Sequence, residues 1–261
     1  MKFAESPFCI KNNLKICLVD GRVSDEIENN LNDIGVEVIK TQKCEDVYEA
    51  ISYHPDIQFF NCGDGKIIVA PNLYEKYEKI IEEIYSKTKN KNLSKVKIIK
   101  GEKNIGKKYP NDILYNVCVV GKYAIHNFEY TDREVLKFIE EKNLEKINIK
   151  QGYAKCSICV VDEKSIITSD RGIVEKIKNS GADIECLLIN EGNIDLFDMN
   201  YGFIGGCSGL LSKKELGFLG KIENHPDFEI IKKFLDERHI KIVSLSDEKL
   251  IDLGSIIPIV C

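Results

Sequence analysis

The sequence predicts an α/β fold of five blades, a pseudo-symmetric β/α propeller of ββαβ units with short mixed sheets inside and helices outside. Three observations predict it. Five amphipathic or charged helical segments recur along the 261 residues, and a short β-branched run follows each. Behind each run comes a strand-like segment with a small residue or a cysteine six positions after its start. One strand stands alone at the N-terminus, and the last unit lacks one at the C-terminus.

In chain order, Leu14–Val19 is the unpaired first strand. Helix Ser24–Ile34 then leads to strand Val36–Lys40, Tyr74–Lys87 to Val96–Ile99, and Thr131–Asn143 to Ile147–Ile149. Asp170–Ser180 leads to Ile184–Ile189, and Asp227–His239 to Ile240–Leu245. Helix starts carry their own signals: a capping box at Thr131–Glu134, Asn72 three residues before Glu75, and Asp227 after Pro226. Gly35 and Gly181 mark the ends of the first and fourth helices. The inner segments align as Asp56–Cys62, Asp112–Cys118, Tyr153–Cys159, Tyr201–Cys207 and Leu250–Ile256, with third strands such as Lys66–Ala70 and Lys164–Thr168. The economical closure brings strand 14–19 into the C-terminal blade, making residues 1–261 one domain without exposed edges between first and last units. Separate lobes are the alternative.

Composition bounds the function. The chain carries 37 basic and 42 acidic residues, a net charge of −5, and 43% hydrophobic residues, a globular profile. Its pI of about 5.6 and interleaved charges argue against nucleic acid, and the densest basic stretch, Lys87–Lys108, is mixed with other residue types. No apolar run approaches the roughly 18 residues of a membrane span, and no apolar segment follows Lys2, so a cytoplasmic location is expected. Ten cysteines are then expected as reduced thiols. Cys156 and Cys159 form a Cys-x-x-Cys, but on a strand residues three apart point to opposite faces, which disfavours zinc. No metal is expected. Gly205, Gly206 and Gly209 lack the following helix and acidic residue of a dinucleotide site, so no cofactor is expected.

Five such units resemble the pentein, or guanidine-modifying-enzyme, fold of arginine deiminases, dimethylargininases and amidinotransferases. More narrowly, Gln151–Ser157, Tyr201–Cys207 and Asp252–Pro258 are similar to an uncharacterised bacterial, clostridial-type family of that fold. The resemblance implies a cysteine that attacks a guanidinium carbon, a histidine that moves protons, and carboxylates that hold the ligand's N–H groups. His54-Pro55-Asp56-Ile57-Gln58-Phe59 is similar to the segment around the enzymes' catalytic histidine. The enzymes' cysteine belongs to the last blade, where this chain reads Gly254-Ser255-Ile256. Cys261 follows the proline and is expected to fray. Cys207, between glycines, and Cys159 are the substitutes.

The catalytic candidates are therefore His54, Asp56 and Cys207, and the candidates for holding a small cationic ligand are Asp112, Cys159, Gly205, Gly206 and Asp252. Each has a plainer reading. Cys62, Cys118, Cys159 and Cys207 share one aligned position and suit a buried packing role. His54 is either a proton shuttle or a turn residue before proline. His225-Pro226-Asp227 repeats the tripeptide with its aspartate explained as a helix cap, so His225 reads as structural. The three aspartates either ring a channel mouth or begin solvated strands, and Asp64 reads as a hairpin turn. Two functions follow: binding or modification of a guanidino or amidino compound in a central channel, and a non-catalytic ligand-binding or protein-interaction module. A redox or metal role for Cys156 and Cys159 ranks behind both.

Overall fold

A computed structural model describes residues 2–87 and 96–261; residues 88–95 of the basic stretch lie outside the described residues. Among the described residues are five three-stranded sheets. The first unit comprises β1 (Ile16–Val19), α1 (Asp25–Asp33) and β2 (Glu37–Lys40). In the second, the one-turn helix α2 (Pro55–Gln58) precedes β3 (Phe59–Gly63), β4 (Lys66–Val69), α3 (Tyr74–Lys87) and β5 (Lys97–Lys100). The third comprises β6 (Cys118–Val120), β7 (Tyr123–His126), α4 (Arg133–Glu141) and β8 (Glu145–Asn148). A second one-turn helix, α5 (Ala154–Ser157), opens the fourth, with β9 (Cys159–Asp162), β10 (Ser165–Thr168), α6 (Arg171–Ser180) and β11 (Glu185–Leu188). The fifth has β12 (Ser208–Ser212), β13 (Glu215–Phe218), α7 (Phe228–Asp236) and β14 (Lys241–Ser244), and β15 (Ile257–Val260) follows.

Each sheet has one pattern: an antiparallel hairpin, then a helical crossover to a parallel third strand. For the first unit the hairpin partner comes from the far end of the chain, since β15 pairs antiparallel with β1 while β2 pairs parallel to it. Lys2 and Cys261 exchange backbone hydrogen bonds of 2.8 Å beside that pair. Cys261 is therefore held in place, where a frayed end was expected.

The helices form on narrow apolar stripes. In α4, Val135 and Ile139 stand four apart and are both fully buried, a spacing that places them on one face. Ser24 and Asp170 cap α1 and α6, and Gly181 takes the left-handed conformation, φ 72°, after α6. Three capping expectations fail. Asp132, not Thr131, caps α4, and Thr131 instead bonds His126 Nδ1 at 2.7 Å. Asn72 lies in a 3-10 turn before Tyr74 and bonds Asp46 and the Ile105 carbonyl. Asp227 stands at the N-cap of α7 but makes no capping bond; its carboxylate takes the Asn190 amide hydrogens.

The inner segments are also corrected. Asp112–Cys118 and Tyr153–Cys159 are turns or a single helical turn that become strand only at their last residue. Tyr201–Cys207 and Leu250–Ile256 stop just short of their strands, and only Asp56–Cys62 is strand over much of its length, from Phe59. Strand register then moves the cysteines apart. Phe60, Cys118, Cys159, Gly209 and Ile257 each oppose the third residue of the second hairpin strand. Only Cys118 and Cys159 share that position; Cys62 falls two residues past it, at a bulge, and Cys207 two before it.

Candidate functional site

The turns that precede the inner strands bring polar side chains from distant units to one place. His54 is the N-cap of α2, held by Pro55 at the first helical position, and is 1% exposed. Its Nδ1 lies 2.9 Å from Asp20 Oδ2, just beyond β1. Its Nε2 stands 3.3 Å from Asp252 Oδ1, close enough for an ion pair but without an aligned hydrogen bond. Arg22 grips Asp20 at both oxygens, with contacts of 2.9 and 2.7 Å, and stacks over Phe197 with its guanidinium carbon 4.4 Å from the ring centroid.

Burial alone would lower the His54 pKa, but hydrogen bonding to Asp20 and the charges of Asp252 and Asp20 outweigh it and push it up to about 9. The imidazole is thus a proton-bearing cation between two carboxylates at neutral pH. Burial alone would raise the Asp20 carboxyl; its bonds to Arg22 and His54 instead hold it below the usual carboxylate range.

Behind His54 lies a second group of polar side chains. Asp56 Oδ2 accepts from Cys156 Sγ at 3.2 Å and lies 2.9 Å from Ser255 Oγ, while Oδ1 has no hydrogen-bond partner. Lys155 Nζ donates to Ser255 Oγ at 2.7 Å and to the Gly205 carbonyl at 3.1 Å. Asn116 ties the group together, donating to the Asp56 carbonyl and accepting from the Lys155 amide. Burial raises the Asp56 carboxyl above its ordinary value despite the nearby charges of His54 and Lys155. The Cys156 thiol is pushed well up by burial and then by the charges of Asp56 and Asp252.

A cavity of about 330 Å³ opens onto His54, Cys156 and Asp252. Its walls include Tyr48, Tyr153 and Phe203, with the Tyr153 and Phe203 rings stacked at 6.4 Å between centroids. Among the sequence candidates, His54 and Asp252 meet here, with Asp56 one hydrogen bond away through Cys156. Cys207 and Cys159 do not line the cavity. Cys207 is fully buried, its thiol donating to the Ile204 carbonyl at 3.3 Å, and burial pushes its pKa well up. Asp112 is buried behind the wall and accepts from Tyr153 Oη at 2.6 Å. None of the three aspartates is solvated, each being 3% exposed or less.

Gly205 and Gly206 permit a close approach by the protein itself. A Cβ on Gly205 would lie 2.3 Å from the Lys155 carbonyl oxygen, and one on Gly206 1.8 Å from Asp252 Oδ1. Sequence reasoning missed Asp20, Arg22, Lys155 and Ser255 and considered Cys156 only together with Cys159, as a redox or metal pair. A lysine inside the apolar run Tyr153–Val161 was the available signal, since a buried ammonium needs partners. Ser255 carried a second signal as the polar residue in the last blade; it adopts φ 77°, a left-handed conformation uncommon for a side-chain-bearing residue.

Solved structures similar to the chain show the same fold. An amidinotransferase of the saxitoxin biosynthetic pathway from Microseira wollei superposes with a TM-score of 0.53 at 13% identity, over 92% of this chain and 91% of its own. A mutant dimethylarginine dimethylaminohydrolase from Pseudomonas aeruginosa, complexed with citrulline, gives 0.52 at 9% identity, covering 90% and 92%. The agmatine deiminase of Campylobacter jejuni gives 0.53 at 9% identity, covering 94% and 91%. These are pentein-fold enzymes, and the chain has the pentein fold. No curated protein matches the sequence. A family model, described as a family of unknown function (DUF6873), matches residues 18–257, and the chain belongs to that family.

Proposed function

We propose that this pentein binds a small guanidino or amidino compound in the 330 Å³ cavity. The observation that carries the reading is the meeting of His54, Cys156 and Asp252, from three different units, on one aromatic-walled space. A planar cation suits it: Asp252 supplies charge and hydrogen-bond acceptors, and the Tyr153 and Phe203 rings supply faces. The activities of the similar structures support the same ligand class. Thermal shift of the full chain against a panel of guanidines and amidines tests it. A rise of several degrees with at least one member, lost in Asp252→Asn, is expected; no shift across the panel overturns the reading.

A second reading adds chemistry, and the 3.2 Å contact from Cys156 Sγ to Asp56 favours it. A bound cation would lower the thiol pKa and let Asp56 take its proton. Sulfur then bonds to the guanidinium carbon, and the C–N bond to the departing amine breaks as His54 supplies a proton. Water next replaces sulfur, so that guanidinium plus water becomes a ureido product plus ammonium. Cys156→Ser should abolish ureido product while retaining binding, and Cys207→Ser should leave both intact. Binding without product in the unmodified chain leaves the first reading alone, a binding module without turnover.

A further inference from the structure

The direction of the hydrogen bonds in the cavity wall restricts what can enter. Tyr153 Oη lies 2.6 Å from Asp112 Oδ2, and a phenol has one proton to give while a carboxylate has none. Tyr153 therefore donates to Asp112. Its 3.0 Å contact with Tyr48 Oη must then use the Tyr48 proton. Both hydroxyl protons are spent inside the protein, so these two oxygens have only lone pairs left to offer a ligand.

The other lining donors follow suit, except the exposed side-chain amide of Asn200. The Cys156 thiol is directed to Asp56 and the Tyr201 hydroxyl to Glu191. His54 Nδ1 is taken by Asp20, and its fully buried Nε2 is committed electrostatically to Asp252, without an aligned bond. Asp252 lies at the buried end of the lining and Asp198 at the exposed end. Among the described residues no lysine or arginine lines the cavity, and Asp198 has no ion-pair partner. A ligand carboxylate entering here would exchange water for acceptors and negative charge, an unfavourable trade. A ligand with N–H donors at both ends and an apolar middle meets complementary groups throughout.

Building on the cavity reading above, we propose that the site selects a carboxylate-free guanidino or amidino compound carrying a second cationic group. The planar cation sits at Asp252, the apolar middle on the Tyr153 and Phe203 rings, and the distal amine at Asp198. The site thus discriminates against guanidino amino acids, because the one cation lining it among the described residues, His54, is already held between Asp20 and Asp252.

Calorimetric titration of the full chain with agmatine, arginine and butylguanidine tests this, because arginine differs from agmatine only by the carboxylate and butylguanidine lacks the distal amine. Agmatine should bind at least about tenfold more tightly than arginine, the usual scale for a like-charge mismatch at a binding site. Asp198→Asn, an exposed change not expected to disturb folding, should erase most of the advantage of agmatine over butylguanidine and leave butylguanidine itself unchanged. Arginine binding as tightly as agmatine, or equal weakening of all three ligands by Asp198→Asn, overturns this selectivity while the cavity reading stands. Failure of all three ligands overturns the selectivity, and failure of the whole guanidine and amidine panel overturns the cavity reading with it.

Discussion

Two copies of the same tripeptide lead opposite lives in this molecule. His54-Pro55-Asp56 and His225-Pro226-Asp227 both have a buried histidine before a proline, which begins α2 in the first and stands just ahead of the Asp227 N-cap of α7 in the second. At the first, Nδ1 meets a carboxylate from another unit and Nε2 meets a second, and the imidazole pKa rises to about 9. At the second, Nδ1 accepts the Asp227 amide hydrogen at 3.1 Å, Nε2 has no partner, and burial lowers the pKa. The aspartates differ likewise: Asp56 is buried against Cys156 and Ser255, while Asp227 is half-buried on the Asn190 amides. Local sequence sets the turn, and the company kept by the side chain sets its chemistry.

The largest effect expected from this comparison is on stability. His54→Ala leaves the buried carboxylates of Asp20 and Asp252 without the cation between them, a loss of about 3–5 kcal/mol. His225→Ala removes one hydrogen-bond acceptor and should cost only about 1 kcal/mol. Urea unfolding of the two variants measures the difference, and equal losses would break the distinction.

Gly206→Ala should come next, at roughly 2–3 kcal/mol, because its Cβ would meet Asp252 Oδ1 at 1.8 Å and force the carboxylate to move. Gly181→Ala is the control: it is also strained, with φ 72°, but has nothing within 4 Å, and should cost about 1 kcal/mol. Thermal melts separate backbone strain from crowding of the site.

Arg22→Ala should cost about 2 kcal/mol through the lost charge-assisted bonds to Asp20. It should also raise the His54 pKa further, since Asp20 would no longer be shared with a guanidinium. Ring-proton NMR titration of His54 reads that shift directly, and an unchanged pKa would mean that Arg22 does not act through Asp20.

The same comparison predicts a pair of opposite pH slopes. The folded-state pKa of His54 is raised from 6.5 to about 9, so its contribution is fully present below pH 6.5 and fades as pH climbs through about 9. His225 is lowered from 6.5, so its contribution is present above that pH and fades as pH falls below it. Wild-type minus His54→Gln stability should therefore shrink on the alkaline side, and wild-type minus His225→Gln on the acid side. Slopes of the same sign would contradict the two environments.

Much of the architecture was readable because it rests on periodicity. Helix α3 spans Tyr74–Lys87 as expected, and the other four long helices end within three residues of their predicted ends at each terminus. The site was only partly readable. His54 stood out through the resemblance of its segment and Asp252 as a polar residue of an inner segment, but Asp20, Arg22, Lys155 and Ser255 lie far apart in the chain, and nothing local marks them as neighbours. The alignment of four cysteines failed for a different reason. A strand bulge at Asn61–Gly63 and a two-residue offset at Cys207 shift the register, and such offsets leave little trace in residue spacing.

By itself the sequence determined the five-unit α/β architecture, since apolar periodicity and β-branched runs are properties of neighbouring residues. The tertiary structure alone decided which thiol faces the cavity with His54, which carboxylates hold the imidazole proton, and what the glycines at 205 and 206 make room for. Those outcomes depend on burial and on charges brought together across as many as 199 positions of chain, as between Asp56 and Ser255. Desolvation and Coulomb interactions act through space, and the order of residues along the chain does not record them.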